Sequence, residues 1–291
     1  MPQADSKATS ILELVSQTVE LPTIPTVLVR LNEVTADPDT TASDVANVIA
    51  ADPAVAANIL RIVNSAYYGL KVRVSSVSLA VSIMGFHMTK KVALKAAVFS
   101  VFARKKDTLT RHFDPEKFWR HSIYTGVAAR VLAEASEEFQ DVHPEDAYVA
   151  GLLHDIGKII LMENRSQDFA AILDAAAAGH VHAVDKEQER LGFTHADVGS
   201  VLAIKWFLPE DLTVAIRYHH NPKKDPFHRS LSSLIHLADS IAWEASFPSM
   251  QGIAPPPLLK ECLGQIGLTQ EQVKTLRAKI DAQYAENESV W

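Results

Sequence analysis

The chain has 291 residues, 47% hydrophobic and 22% charged, a balance that suits one large or two modest globular domains and excludes a disordered polymer. A net charge of -7 argues against nucleic acid as a partner, because a surface built for phosphate backbones carries a basic face. The single cysteine, Cys262, rules out an intrachain disulfide and a thiolate metal cluster, and it fits a reducing compartment.

The opening MPQADSKATS lacks a basic region followed by a long apolar stretch, so no signal peptide is expected. No segment reaches the roughly 18 uninterrupted apolar residues of a membrane span, and a cytoplasmic location without membrane partners follows as the expectation.

Along the chain, helix signals dominate and period-two strand patterns are scarce. Asp52-Pro53 predicts a helix start, with Asp52 capping free amides and Pro53 in the first turn. Asp114-Pro115 and His143-Pro144 repeat that pattern. Thr194 and Asp197 form a candidate capping box before VLAIKWF, and Asn221-Pro222 should stop the helix that begins near Pro209. The fold class is therefore read as all-α, a multi-helix bundle with an N-terminal helical subdomain.

Three regions are expected: an N-terminal helical part over 1–112, a helical core over 113–250, and a Pro-rich linker with a C-terminal helix over 251–291. The last begins at Ala254-Pro255-Pro256-Pro257, a sequence with the stiffness of a linker. The basic run Arg104, Lys105 and Lys106 reads as a solvated helix end, and Trp206 with Phe207 as core. Tyr67 and Tyr68 read as a helix end that could also face a partner, and Arg217 as one half of a surface salt bridge.

The sharpest feature is Leu153-His154-Asp155-Ile156-Gly157-Lys158. An adjacent His and Asp at a helix end can aim an imidazole nitrogen and a carboxylate oxygen at one point, a set that borderline and hard divalent metals accept. Ten of the twelve histidines fall between residues 113 and 247. His121 lies among the apolar residues Ile123, Val127 and Val131, His195 opens a helix, and His219 with His220 close the next. Asp239 sits inside LIHLADSI, where an uncompensated carboxylate would be costly and needs a cation or a metal beside it. Singly, each histidine reads as a hydrogen-bonded core residue; together, at helix ends and on apolar faces, they read as a metal site.

The order His, His-Asp, Asp resembles the HD phosphohydrolase superfamily, and the additional His195, His219 and His220 are similar to its HD-GYP branch. That resemblance implies two divalent ions, iron or manganese first, with zinc or magnesium as alternatives. It places His121, His154, Asp155 and Asp239 on one ion, and has Asp155 bridge to a second held by His195, His219 and His220. It casts Asp155 and Lys158 as the catalytic pair, Lys158 orienting a substrate phosphate. The chain departs from the branch in two places: Asn221-Pro222-Lys223 stands where a Glu and Gly-Tyr-Pro would be, and Lys117 where a ligating Glu would hold a third metal. A third ion is not expected, and cleavage of cyclic di-GMP loses its marker.

The first half resembles the HDOD signature through Leu21-Pro22-Thr23-Ile24-Pro25, Asp52-Pro53 with Leu60, Asn64-Ser65-Ala66-Tyr67-Tyr68-Gly69, and Ser76 through Ala80 to Met84-Gly85. This implies a bacterial signal-transduction output module with signalling proteins as partners. The alternative is an active metal-dependent phosphohydrolase acting on a nucleotide or cyclic dinucleotide. A purely helical scaffold without metal is the third reading.

Overall fold

The computed structural model describes residues 11–14, 26–51, 53–64, 68–102, 113–137, 142–206, 208–227, 229–245 and 253–288. Asp52, Leu21 to Pro25, Ser65 to Tyr67, Arg104 to Lys106 and Phe207 lie outside them. Among the described residues the regular elements are helices, and none is long and apolar enough to cross a membrane. They divide into two compact units, one within Glu20–Lys106 and one made of Asp107–Trp291 with Met1–Val19.

The smaller unit contains α1 (Thr26–Ala36), α2 (Ala42–Ala50), α3 (Pro53–Val63) and α4 (Val77–Phe102). Thr41 and Asp44 close a reciprocal capping box at the start of α2, and Val45 and Ile49 bury its apolar stripe. Asn64 does more than end α3. Its amide donates to Leu60 O and Val74 O, both at 2.7 Å, and its Oδ1 accepts from Val74 N at 2.7 Å. The side chain thus pairs with Val74 as a neighbouring strand would, tying the segment before α4 to the end of α3. Gly85 interrupts α4 at φ 75° and ψ 162°, a backbone region essentially reserved for glycine.

In the larger unit the chain runs through α5 (Pro115–Ala135), α6 (Pro144–Leu153), α7 (Ile156–Asn164), α8 (Ser166–Gly179), α9 (Ala183–Leu191), α10 (His195–Lys205), α11 (Glu210–Tyr218) and α12 (Arg229–Glu244). Asp114 caps α5 by accepting from the amides of Glu116 and Lys117, with Pro115 in the first turn, as the sequence predicts. Thr194 and Asp197 form the predicted box at the head of α10, and α11 ends at Tyr218, before Asn221-Pro222. The central helix is α5, against which α6, α12 and the last helix pack. Seven consecutive residues of α7, Ile156 to Met162, are buried, as befits a helix enclosed on every side.

The Pro-rich stretch has no regular secondary structure from 253 to 259, with Ile253 and Pro256 buried, and leads into α13 (Glu261–Gln265) and α14 (Gln270–Glu288). Helix α14 returns to α5: Ile280 and Tyr284 are buried, the Tyr124 and Tyr284 rings lie 5.1 Å apart, and Lys279 pairs with Glu134 at 2.8 Å.

Truncating the Asn64 clasp leaves the Val74 amide and carbonyl without their partner. Asn64→Ala should lower the unfolding free energy by about 1–3 kcal/mol, read as a lower denaturant midpoint with unchanged slope. An unchanged midpoint would show that the clasp contributes nothing.

Candidate metal centre

Four helix ends and two helix interiors deliver the side chains. His154 and Asp155 occupy the turn between α6 and α7, His195 is the first residue of α10, and His219 and His220 follow α11. His121 and Asp239 come from the middles of α5 and α12. All seven residues converge. Their ligating atoms form two groups, His121, His154 and Asp239, and Asp155, His195, His219 and His220, with the atoms of each group within 4.8 Å of one another.

Asp155 lies between the groups, and its two oxygens face opposite ways. Oδ2 sits 3.3 Å from His154 Nε2 and 3.9 Å from His121 Nε2, whereas Oδ1 sits 3.0 Å from His195 Nε2 and 3.7 Å from His219 Nε2. On the first side, Asp239 Oδ1 lies 3.0 Å from His121 Nε2 and 3.7 Å from His154 Nε2. On the second, His220 Nε2 lies 3.0 Å from His195 Nε2. Lys158, one turn along α7 and only 2% exposed, places Nζ 2.5 Å from Asp155 Oδ2.

Backbone packing sets this convergence. A Cβ built on Gly157 would stand 1.9 Å from His195 O and 2.7 Å from Gly199 N, so only glycine lets α7 and α10 approach closely enough to bring His195 to Asp155.

Two rings are oriented by their own helix ends: His154 Nδ1 donates to Gly151 O and His219 Nδ1 to Ile216 O, each at 2.7 Å. These bonds fix the tautomer of the neutral ring, with Nε2 as the nitrogen that would ligate a metal. His154 Nε2, His219 Nε2, Asp155 Oδ1 and Asp239 Oδ1 are buried and make no hydrogen bond. Buried polar atoms seldom go without a partner, and Asp155 Oδ1 with three more beside it are what a cation would satisfy.

The charges agree with this. Burial pushes the Asp155 carboxyl up, but the positive charges of His154 and Lys158 outweigh it and hold it well below its usual range. Burial likewise raises Asp239, and its contacts with His121 and His154 reverse the sign. Burial opposes protonation of His154, but Asp155 and Asp239 win and raise its pKa to about 10. His219 is pushed down to about 4 by burial, and His220 well below its ordinary value by burial and by its neighbour His219, so both stand in the neutral form that ligates. Protons thus balance the carboxylates where a divalent ion would replace them. Ligands 2.0–2.2 Å from an ion stand roughly 3–4 Å apart, so these donor sets fit a metal with small adjustments.

Three residues the sequence reading left out complete the surroundings. Glu187 of α9 is fully buried and holds His195. The ring of His182 lies 4.8 Å from that of His220, and burial with the nearby charge of Lys158 depresses its pKa to about 4. His236 donates from Nδ1 to His219 O at 2.8 Å and accepts the Leu259 amide at Nε2, joining the Pro-rich segment to a ligand-bearing turn. None of the three stands out in the sequence, since Glu187 lies in the charged stretch AVDKEQERL. Arg217 is half-exposed with Nε 3.8 Å from Asp197, and Trp206 is buried in the core.

A bundle with the order His, His-Asp, Asp at its centre defines a member of the HD superfamily. More narrowly, the family model of the HDOD domain matches residues 21–222, and the chain belongs to the HDOD family. It is 25% identical to an HDOD domain protein of unknown function from Geobacter sulfurreducens, covering 98% of this chain and 96% of that one with a TM-score of 0.74. A candidate signal transduction protein from Marinobacter aquaeolei is also 25% identical, over 95% of this chain and 60% of its own, with a TM-score of 0.74. An uncharacterised protein of Treponema pallidum (strain Nichols) is 26% identical over 223 residues, 76% of this chain and 42% of the relative. The chain therefore spans less than two thirds of the length of the last two.

Gly157→Ala tests the close approach. The added methyl should force α7 from α10, cost about 1–3 kcal/mol and weaken metal retention in elemental analysis of the purified protein. Wild-type stability and metal content would show that the approach is not required.

Proposed function

We propose that this chain is a signalling module of the HDOD family whose helical core holds two divalent ions bridged by Asp155. The observation that carries the reading is the opposed facing of the two Asp155 oxygens toward two complete donor sets. His121, His154 and Asp239 would hold one ion with Asp155, and His195, His219 and His220 the other. Mixed imidazole and carboxylate donors suit iron or manganese, with zinc or magnesium as alternatives. Six of the seven donors are buried and only His220 is partly exposed, so the ions would lie inside the helical core. The family, and the name of the Marinobacter relative, support signalling proteins as partners.

Elemental analysis is the test. The purified chain should carry about two equivalents of iron, manganese or zinc, and Asp155→Ala, checked for helix content by circular dichroism, should lose them. Retention of both ions by the variant would refute the bridge.

A second reading, a phosphohydrolase acting on a nucleotide or cyclic dinucleotide, is favoured by Lys158 at 2.5 Å from the shared carboxylate. Bound ions would supply Lewis acidity toward phosphate oxygens and an acidified water at neutral pH. The chain's own contribution would be to fix each imidazole through its Nδ1 partner and to present the Lys158 ammonium to a phosphate oxygen. Turnover of cyclic dinucleotides with manganese or iron, slowed at least tenfold in Lys158→Met, is the expected outcome. Hydrolysis that survives Asp155→Ala would come from another source.

A further inference from the structure

The three innermost imidazoles that meet Asp155 are not held alike. His154 and His219 lie at the ends of α6 and α11, where the carbonyl three residues earlier accepts Nδ1–H. His195 is the first residue of α10, so no preceding helical turn exists to orient it. Its partner comes instead from α9. Glu187 accepts from His195 Nδ1 at 2.8 and 2.9 Å through its two oxygens, and from the His195 backbone amide at 2.7 Å through Oε2.

This carboxylate is fully buried. Both of its oxygens accept hydrogen bonds from His195, so neither carries a proton and the group is an anion in the core. An anion at the first amide of a helix is favourably placed, and its grip on Nδ1 turns Nε2 toward Asp155 Oδ1, 3.0 Å away. The donor sets also differ in charge. The His121, His154 and Asp239 set has a carboxylate of its own, whereas His195, His219 and His220 have only the shared Asp155.

We infer that Glu187 is the positioning residue of the second ion site, orienting His195 from behind and supplying the negative charge that this imidazole-rich set lacks among its direct donors. The inference rests on the two-ion reading and makes it asymmetric. The His195, His219 and His220 site should depend on Glu187, and the His121, His154 and Asp239 site should not. A carboxylate behind a metal-bound imidazole raises the basicity of that ligand, and its loss costs roughly 10–100-fold in metal affinity.

The test uses the full chain, stripped of metal and titrated with manganese, with bound ions counted by elemental analysis and the ion pair followed by electron paramagnetic resonance. Glu187→Gln is nearly isosteric and keeps an acceptor for Nδ1–H but removes the charge; Glu187→Asp keeps the charge on a shorter arm. Wild type should bind two ions with a spin-coupled signal. Glu187→Gln should bind one ion at wild-type affinity and the other about 10–100-fold more weakly, with an uncoupled signal replacing the coupled one. Glu187→Asp should fall between.

Two ions of unchanged affinity in Glu187→Gln would overturn the role of Glu187 and leave the two-ion centre standing. Equal weakening of both ions in both variants would overturn the asymmetry and make Glu187 a general structural residue. A wild-type chain that binds fewer than two ions would overturn the two-ion reading and the inference with it.

Discussion

Burying negative charge is the constraint on which the rest of the larger unit depends. Asp155, Asp239 and Glu187 lie within a helical core, each at most 1% exposed. Taking a carboxylate out of water costs on the order of several kcal/mol, which only a close opposite charge offsets. Close neighbours supply that charge: Lys158 on Asp155, His154 on Asp239, His195 on Glu187. An arrangement that must import positive charge to be stable is one predisposed to take a cation.

Helix termini make the convergence possible. An interior helical residue sees neighbours at fixed angles, but a residue at a helix end can turn its side chain across the bundle. Five of the seven donors lie at or beside such ends, and α5 and α12 contribute His121 and Asp239 from the sides. The ends are themselves fixed by ordinary local chemistry. The Thr194–Asp197 box sets where α10 starts and hence where His195 stands. The glycine at 157 then lets that start come against α7.

Local signals were legible in the sequence, and tertiary ones were not. Pro115 and Pro144 in first turns, the cap at Asp114 and the box at Thr194 depend on residues within four positions, and their identities reveal them. The seven His and Asp donors were legible as a set because their residue types are rare in apolar helices. Glu187 was not, because AVDKEQERL reads as a solvated charged helix and only the approach of α10 buries one of its carboxylates. The clasp made by Asn64 was not legible either, since its partner Val74 lies ten residues away. The docking of α14 was equally hidden, because a mostly polar helix buries little beyond Ile280 and Tyr284.

The central claim is that Asp155 sits between two ions, and the most direct measurement is anomalous X-ray scattering from crystals grown with manganese. The account predicts two peaks, one beside each Asp155 oxygen, the first among His121, His154 and Asp239 and the second among His195, His219 and His220. A single peak off Asp155, or no peak with Lys158 still closed on the carboxylate, would contradict it.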